Sequence, residues 1–292
     1  AELMRSIYRG EFTLAGKILG KLTGARVLEE DVIKEWFIYF YQCTMCRRCS
    51  LFCPYGIDTA EVTFLARELL HLLGININWI LEPVSNCART GNHLGIQPHA
   101  FKDIVEFMVD DIETITGKRV KCPLNEKGHE VLFITPSGDA FADPGIYTFM
   151  GYLMLFDAIG LDFTMSTDAS EGGNFGLFTH ADAMKSINGK MYAEANRLGA
   201  KWILGGECGH MWRVVNQYMD TMNGDMQGSQ MQTPVNPITG TVFKNAKQTK
   251  MVHIAEFTAD LIKHGKLKFD KSRNANVVAT FHDSCNTARG MG

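Results

Sequence analysis

The stretch CTMCRRCSLFCP, residues 43–54, decides how the first part of this chain folds. Its cysteines have the spacing C-x2-C-x2-C-x3-C, and a proline closes the run. Backbone with this spacing wraps around a cubane of iron and sulfide, because soft thiolate ligands suit iron. We therefore predict an electron-carrying [4Fe-4S] site whose metal-ligand candidates are Cys43, Cys46, Cys49 and Cys53.

Zinc and a reduced thiol cluster are the alternatives at this run. Zinc sites usually split two short cysteine pairs over a longer interval, whereas closely spaced thiolates before a Cys-Pro pair are the ferredoxin pattern. In ferredoxins with two clusters, the cysteine before the proline binds the other cluster. Cys43, Cys46 and Cys49 therefore need a fourth ligand from elsewhere, and Cys53 is open to a different centre.

The composition is that of an ordinary globular protein and excludes several functional classes. The chain has 292 residues, enough for two domains, with 46% hydrophobic and 21% charged residues. Its net charge of -3 provides no basic field for nucleic acid. No apolar stretch approaches the roughly 20 residues of a membrane-spanning helix, and no secretory signal is seen. Because clustered thiols suit a reducing compartment, we expect a cytoplasmic protein without its own transmembrane span.

Patterning predicts two domains, a helical one at residues 1–120 and an α/β one at residues 121–292. Apolar residues recur at helical spacing in the first, and the cysteine run lies between two helices. In the second, apolar runs alternate with amphipathic helices, which predicts a mostly parallel, doubly wound sheet. The polar stretch 223–249 is predicted to be a long connection. The predicted strands are 130–135, 162–165, 202–204 and 276–281, and the predicted helices are 146–159, 180–198, 211–219 and 252–264.

Sulfur-bearing and polar side chains follow the last two predicted strands. Cys208 and His210 come after the third strand, and His282, Asp283 and Cys285 come after the fourth. Ligand sites of open α/β sheets gather at the carboxyl ends of strands, so the two segments are expected to converge. The catalytic candidates are therefore Cys285, Cys208, His210 and His282. A core thiol is the alternative for Cys208, and a structural role is the alternative for either histidine.

Cys87 is a further candidate, as a cofactor ligand. It lies in a predicted loop with Arg89 and His93, and a loop thiol beside such groups suits a depressed pKa or an outlying cluster ligand. A capped turn is the alternative. Cys122 precedes a proline in a basic linker and is taken as incidental. The glycine-rich run 171–176 has no Walker spacing and no lysine, so nucleotide binding is not predicted.

Longer strings in this chain resemble a known family. The chain resembles the DsrK family, iron–sulfur subunits of a membrane-associated complex in sulfur-metabolising prokaryotes, and more broadly heterodisulfide reductase subunits. The resemblance covers essentially the whole chain. It is carried by CTMCRRCSLFCPYGIDTAE, NCARTGNHLGIQPHAFKD, ASEGGNFGLF, GGECGHMWRV and FHDSCNTAR.

The resemblance implies a fold and a set of clusters. It implies a helical ferredoxin-like [4Fe-4S] domain with two cubanes, followed by a doubly wound α/β domain of CCG repeats that holds a non-cubane [4Fe-4S] centre. Cys43, Cys46 and Cys49 would bind one cubane. Cys53 would join an earlier motif, which is not in this sequence, to bind the other.

The resemblance also implies how the CCG repeats are arranged here. The first repeat looks degenerate. Ser137 stands at the place of the opening cysteine, Glu171 lies in the double-cysteine region, and Cys208 is the one cysteine that remains of the closing pair. Cys285 would open a second repeat and bind the non-cubane centre. The later ligands of that repeat are not in the sequence, so the chain is expected to be a fragment of a longer protein.

The function implied by the resemblance is electron transfer from quinol to a sulfur–sulfur bond in dissimilatory sulfur metabolism. The substrate would be a disulfide or trisulfide on a small DsrC-like sulfur carrier. The membrane partner would be a DsrM-like cytochrome b subunit, to which this chain would attach peripherally at the inner membrane. Two other classes remain open, namely the iron–sulfur subunit of a glycolate- or lactate-type dehydrogenase and a non-catalytic wiring subunit.

Overall fold

The computed structural model of this chain describes residues 2–222, 229–270, 272–282 and 284–291. Of the predicted polar connection, residues 223–228 lie outside the described residues, as does Asp283. No helix in the described part of the chain is long and apolar enough to cross a membrane.

The first part of the chain is helical, as the spacing of its apolar residues predicts. Its helices are α1 Glu2–Phe12, α2 Leu14–Leu19, α3 Glu30–Gln42, α4 Arg48–Leu51, α5 Thr59–Leu72, α6 Asn78–Thr90 and α7 Pro98–Thr116. Helices α1, α3 and α5 share an apolar cluster in which Trp36, Phe40 and Leu70 are buried. Asp58 caps α5, because its carboxylate accepts from the N–H groups of Ala60 and Glu61. The cysteine run connects α3 to α5.

The second part contains a four-stranded parallel sheet in the order β2-β1-β3-β4. Along β1, Val131 and Phe133 lie in one apolar cluster, and Leu132 and Ile134 lie in another, because successive side chains point to opposite faces. Helices α9 and α13 contribute to the first cluster, and α11 and α12 to the second. The elements are β1 Val131–Ile134, α8 Ser137–Phe141, α9 Gly145–Ile159, β2 Phe163–Met165, α10 Asn174–Leu177, α11 Ala181–Leu198, β3 Trp202–Gly205, α12 Gly209–Gln217, β4 Met251–His253 and α13 Ile254–Lys263.

Helix α7 packs against the sheet, although the sequence groups it with the first part. Its buried residues Phe101, Val105 and Ile112 lie in the same cluster as Phe133 and Phe156. The core around the sheet therefore begins before residue 120. The division into domains at residue 120, and the assignment of the halves to ferredoxin-like and CCG types, stay predictions.

The predicted strand at 276–281 is wrong, and a strand at Met251–His253 was missed. Residues 276–281 form no strand, and Val278 and Phe281 are 97% and 90% exposed. An apolar run becomes a strand only where a sheet edge offers free N–H and C=O groups. Beside β3 that edge is taken by Met251–His253, of which residues 252 and 253 had been predicted to start a helix. The helix begins instead at Ile254.

Candidate metal centre

The backbone of the cysteine loop, residues 43–53, turns sharply at two residues. Met45 and Arg47 have φ angles of 54° and 58°, in the left-handed region that non-glycine residues seldom adopt. At the first of these turns, the Met45 N–H donates to Cys43 Sγ at 3.3 Å. Strained backbone of this kind clusters at ligand sites, and N–H donors to sulfur tune iron–sulfur centres.

The Cys46 thiol is prepared for deprotonation. The backbone N–H of Arg48 lowers its pKa, and Thr44 and Arg289 add to this effect against the opposing effect of burial. The thiolate is the form that binds metal, so a lowered pKa favours ligation at neutral pH. Cys49 is exposed, with its sulfur against the Thr59 hydroxyl.

Three arginine side chains hold the backbone of the cysteine loop from outside. Each guanidinium donates to a carbonyl oxygen, so the N–H on the far side of each of those peptides points away from the arginine. The bonds join Arg67 Nη2 to Cys43 O (2.5 Å), Arg213 Nη1 to Met45 O (2.6 Å) and Arg289 Nε to Cys46 O (3.0 Å).

The Cys285 turn, a π-helical segment Cys285–Gly290, lies directly against this loop. Arg47 Nη1 donates to Gly290 O at 2.7 Å, and Arg289 in the turn donates back to the loop. A Cβ on Gly209, the first residue of α12, would lie 3.4 Å from Asn286 Cβ. The segments of Cys208 and Cys285 are therefore neighbours, although Cys285 follows no strand.

The donor chemistry of the loop suits a thiolate-bound cluster. All eight cysteines are free thiols, so Cys43, Cys46 and Cys49 are available as the predicted ligands of a cubane. Within the described ranges, no three His, Cys, Asp or Glu side chains are gathered so that they could hold a metal ion. In a cubane each cysteine binds a separate iron, so its ligands need not meet at a single point.

Comparison with known proteins finds redox subunits that are similar to this chain. The chain is 46% identical over 307 aligned positions to an Hdr-like menaquinol oxidoreductase iron–sulfur subunit of Archaeoglobus profundus. It is 45% identical to subunit 2 of that name from Archaeoglobus fulgidus. Both matches cover 100% of this chain and 55% of the relative. Along its whole length, this chain is similar to Hdr-like iron–sulfur subunits.

These matches support the Hdr-like iron–sulfur subunit family, and they do not show DsrK specifically. The chain spans about half the length of the curated relatives it matches. A further match, 51% identical over 43 residues, is to one subunit of the dihydromethanophenazine:CoB–CoM heterodisulfide reductase of Methanosarcina mazei. It covers 15% of this chain and 10% of that relative. No family model matches the chain. No solved structure matches it either.

Cys208 and His210 begin α12 in a half-buried position. Burial raises the pKa of the Cys208 thiol to about 12, against a smaller opposing effect of the Met211 N–H. Burial and then Arg213 lower the pKa of His210, whose ring packs edge-on to Phe178 at 5.1 Å. At neutral pH this segment therefore presents a protonated thiol and a neutral imidazole. Each can donate a hydrogen bond, and the neutral imidazole of His210 can accept a proton.

Of three other predicted site residues, Cys87 and His282 are placed differently from the sequence prediction, and Cys53 stays a candidate. Cys87 lies in the last turn of α6 rather than in a loop, and it is 1% exposed. Burial, and then Glu171, raise the pKa of its thiol, so the predicted depressed pKa is wrong. His282 is exposed. Cys53 is half-buried, and its N–H donates to Ser50 O at 3.2 Å.

A buried polar cluster that the sequence analysis did not assemble lies at the carboxyl edge of the sheet. Glu171 Oε1 accepts from the Ser137 N–H at 3.1 Å and from His93 Nδ1 at 2.6 Å, and the Ser137 hydroxyl also donates to it. The Glu171 side chain is 2% exposed. The resemblance places Ser137 and Glu171 at two former cysteine positions of the first repeat, and here they are hydrogen-bonded to each other. No pattern in the sequence indicated that Ser137 and Glu171 would contact His93.

Asp58 fixes the far end of the cysteine loop, and its charge is expected to matter for stability. Burial would raise its pKa, but hydrogen bonds from Arg47 (Nε at 2.8 Å) and Ser50 outweigh burial and lower the pKa. Asp58→Asn keeps a capping residue for α5 but loses this ion pair. We expect a loss of about 1.5 kcal/mol at pH 7, the low end of what hydrogen bonds to charged groups contribute, because both side chains are partly exposed.

The pH dependence identifies the cause of that loss. A carboxylate whose pKa is lowered on folding stabilises the protein above its unfolded pKa, and the effect disappears as the pH falls through the folded value. The difference between wild type and D58N should therefore shrink as the pH falls below about 4. Urea unfolding of iron-free protein across this range measures it. The exposed Asp31→Asn is the control, and a difference that persists at low pH would contradict the ion pair.

Proposed function

We propose that this chain is the part of an Hdr-like iron–sulfur subunit that carries electrons from a quinol-oxidising membrane partner toward a sulfur–sulfur bond. The observation that supports this most directly is the contact between the cysteine loop and the Cys285 turn. Arg47 and Arg289 join the two segments by two hydrogen bonds across more than 200 positions of sequence. The contact supports the proposal because it brings the loop proposed to accept electrons next to the segment that carries Cys285.

In this proposal the thiols have separate roles. Cys43, Cys46 and Cys49 hold a [4Fe-4S] cubane, which when bound supplies one electron at a time. Cys53 belongs to a second cubane whose other ligands are not in this sequence. Cys285 belongs to a centre at which the sulfur–sulfur bond is reduced. Cys208 and His210 flank Gly209, which lies beside the Cys285 turn, and in this proposal they belong to the polar surroundings of that centre.

The overall reaction balances with a quinol donor. Oxidation of one menaquinol releases two electrons and two protons, and cleavage of one sulfur–sulfur bond consumes two of each and leaves two thiols. The relatives are named menaquinol oxidoreductase subunits, which supports a quinol as the source. We propose a cytochrome b subunit of DsrM type as the membrane partner. The proposed acceptor is a disulfide or trisulfide on a small DsrC-like carrier protein.

A wiring role without catalysis is the second candidate, and one observation favours it. Ser137 and Glu171 occupy cysteine positions of the first repeat with a closed hydrogen-bond network. Glu171 Oε1 already accepts four hydrogen bonds from Ser137 and His93, so that oxygen has little capacity left for a metal. If the second repeat also lacked catalytic ligands, this chain would only pass electrons onward.

The test uses the full-length subunit purified anaerobically with its membrane partner. A reduced menaquinol analogue should bleach the visible absorbance of the complex, and a disulfide substrate should then restore it. Cys285→Ser should keep the bleaching but lose the reoxidation, whereas Cys122→Ser should keep both. Failure of quinol to bleach the wild type would refute the quinol-linked role. Normal reoxidation in C285S would refute the role of Cys285.

A further inference from the structure

Two arginines are buried beside the cysteine loop without a carboxylate partner. Arg213 is 0% exposed and Arg67 is 3% exposed. Ion pairs join arginine to carboxylate elsewhere in the described part of the chain, but none of them involves either residue. A buried charge without a counter-charge costs several kcal/mol, so both positions require an explanation.

All hydrogen-bond acceptors around Arg213 are neutral. Nη1 donates to Met45 O at 2.6 Å and to Asn286 Oδ1 at 3.5 Å, and Nε donates to Gln217 Oε1 at 2.9 Å. Its Nη2 is buried and has no hydrogen-bond partner among the described residues. The acid that comes nearest through this network is Glu61, which accepts from Gln217 rather than from Arg213 itself.

Arg67 has the same kind of surroundings on the other side of the loop. Nε and Nη2 donate to Phe40 O at 3.0 and 2.7 Å, and Nη2 also donates to Cys43 O. Nη1 contacts Met45 Sδ at 3.2 Å, and the guanidinium carbon lies 5.1 Å from the centre of the Tyr41 ring. Every one of these partners is formally neutral.

We infer that Arg67 and Arg213 are the counter-cations of an anionic cluster held by the cysteine loop, and that they raise its reduction potential. A cubane held by thiolates carries net negative charge, and this charge with its surroundings sets the potential. Both guanidiniums bind backbone carbonyls of the loop that presents Cys43 and Cys46. An added electron makes the cluster more negative, so adjacent buried cations favour the reduced form.

This inference rests on the cluster of the proposed function but not on its electron donor or its acceptor. A purely structural role is the competing explanation, since a guanidinium that binds carbonyls would also hold the loop in shape. The two explanations differ in what they predict for charge. A structural clamp affects iron retention, whereas a counter-cation also changes the potential of the iron that is retained.

The experiment is a redox titration of full-length protein, with iron content measured in parallel. Arg213→Gln and Arg67→Gln remove the charge, Arg213→Lys keeps it, and Arg48→Gln removes an equal but exposed charge beside Cys46 and Cys49. We expect R213Q and R67Q each to lower the midpoint potential by about 59 mV, a tenfold change in a one-electron equilibrium constant. R213K and R48Q should stay near the wild-type value.

Each outcome decides the question. Midpoint potentials of R213Q and R67Q equal to that of R48Q, with full iron content, would overturn the inference. If R213Q loses its iron, the midpoint potentials of R67Q and R213K test the inference instead. A lowered potential in R67Q together with a wild-type potential in R213K supports the inference, and any other pair of values overturns it. Wild-type protein without iron would refute the cluster itself. Wild-type protein with iron that quinol does not reduce would refute only the proposed function.

Discussion

Replacing Cys46 by alanine is expected to remove the iron held by the cysteine loop and the broad visible absorbance that accompanies it. Cys46 is the central thiol of the three assigned to one cubane, and its pKa is lowered by the Arg48 N–H. Loss of one ligand is expected to release the whole cluster and not only one iron–sulfur bond, because metal binding and local folding are coupled. Iron analysis and the absorbance spectrum of anaerobically purified C46A measure the effect.

The local backbone should lose its order together with the iron. Beyond Cys49 the chain has little core of its own, with Leu51, Phe52 and Tyr55 between 67% and 86% exposed. Limited proteolysis should therefore cleave C46A within residues 50–56, between the two residues of the Arg47–Asp58 ion pair, faster than wild type, since protection there follows local stability.

Cys122→Ala is the matched control for this experiment. Cys122 is also a half-buried free thiol, but it packs against Met165 at the edge of the sheet, and burial raises its pKa to about 12. Its removal should leave iron content and the spectrum unchanged. Wild-type iron in C46A, or equal iron loss in C122A, would show that the thiols of the loop are not the ligands.

The parts of the fold that follow from local pattern could be predicted. The run from Val131 to Ile134 is apolar on both faces, as a central parallel strand with helices on both sides requires. Helix α7 also follows from local pattern, since its buried positions repeat at the helical spacing predicted for the first part of the chain. What pattern could not decide was which core α7 joins, because that depends on contacts far away in sequence.

The errors arise where a tertiary partner decides the outcome. Residues 276–281 have strand-like composition but no sheet edge to pair with, and Met251–His253 is a strand because the edge of β3 lies beside it. Strand propensity reflects packing on a sheet more than a backbone preference. Sequence alone therefore could not choose between these two segments.

The arginines around the cysteine loop were missed for a similar reason. Arg213 contacts Met45 across more than 150 positions of sequence, and no local spacing encodes that contact. A weak signal was nevertheless present, since Arg213 stands between Trp212 and Val214 on an otherwise apolar stretch of α12. A cation inside an apolar run is rare enough in cores to indicate a buried partner.

Gly91→Ala is expected to be among the most destabilising single-methyl changes in this chain. Gly91 ends α6 with φ at +78°, and a Cβ there would lie 1.8 Å from the backbone oxygen of Asp168. The left-handed conformation costs a non-glycine residue roughly 1–2 kcal/mol, and overpacking against backbone adds about 1–3 kcal/mol. The free energy of unfolding should therefore fall by about 3 kcal/mol, measured by urea denaturation.

Gly117→Ala separates the two contributions. Gly117 ends α7 in nearly the same conformation, with φ at +73°, but a methyl group there would have no atom within 4 Å of it among the described residues. It should therefore show only the conformational cost, leaving a difference of about 2 kcal/mol between the variants. Equal losses in both would mean that the Asp168 backbone moves aside.

The strain in G91A is not expected to reach the metal centre. Because Ser170 N donates to Gly91 O, the strain falls on the segment that leads to Glu171, while the contacts of the cysteine loop do not pass through Gly91. Folded G91A should accordingly keep its iron, which distinguishes loss of packing at the sheet edge from loss of the metal centre.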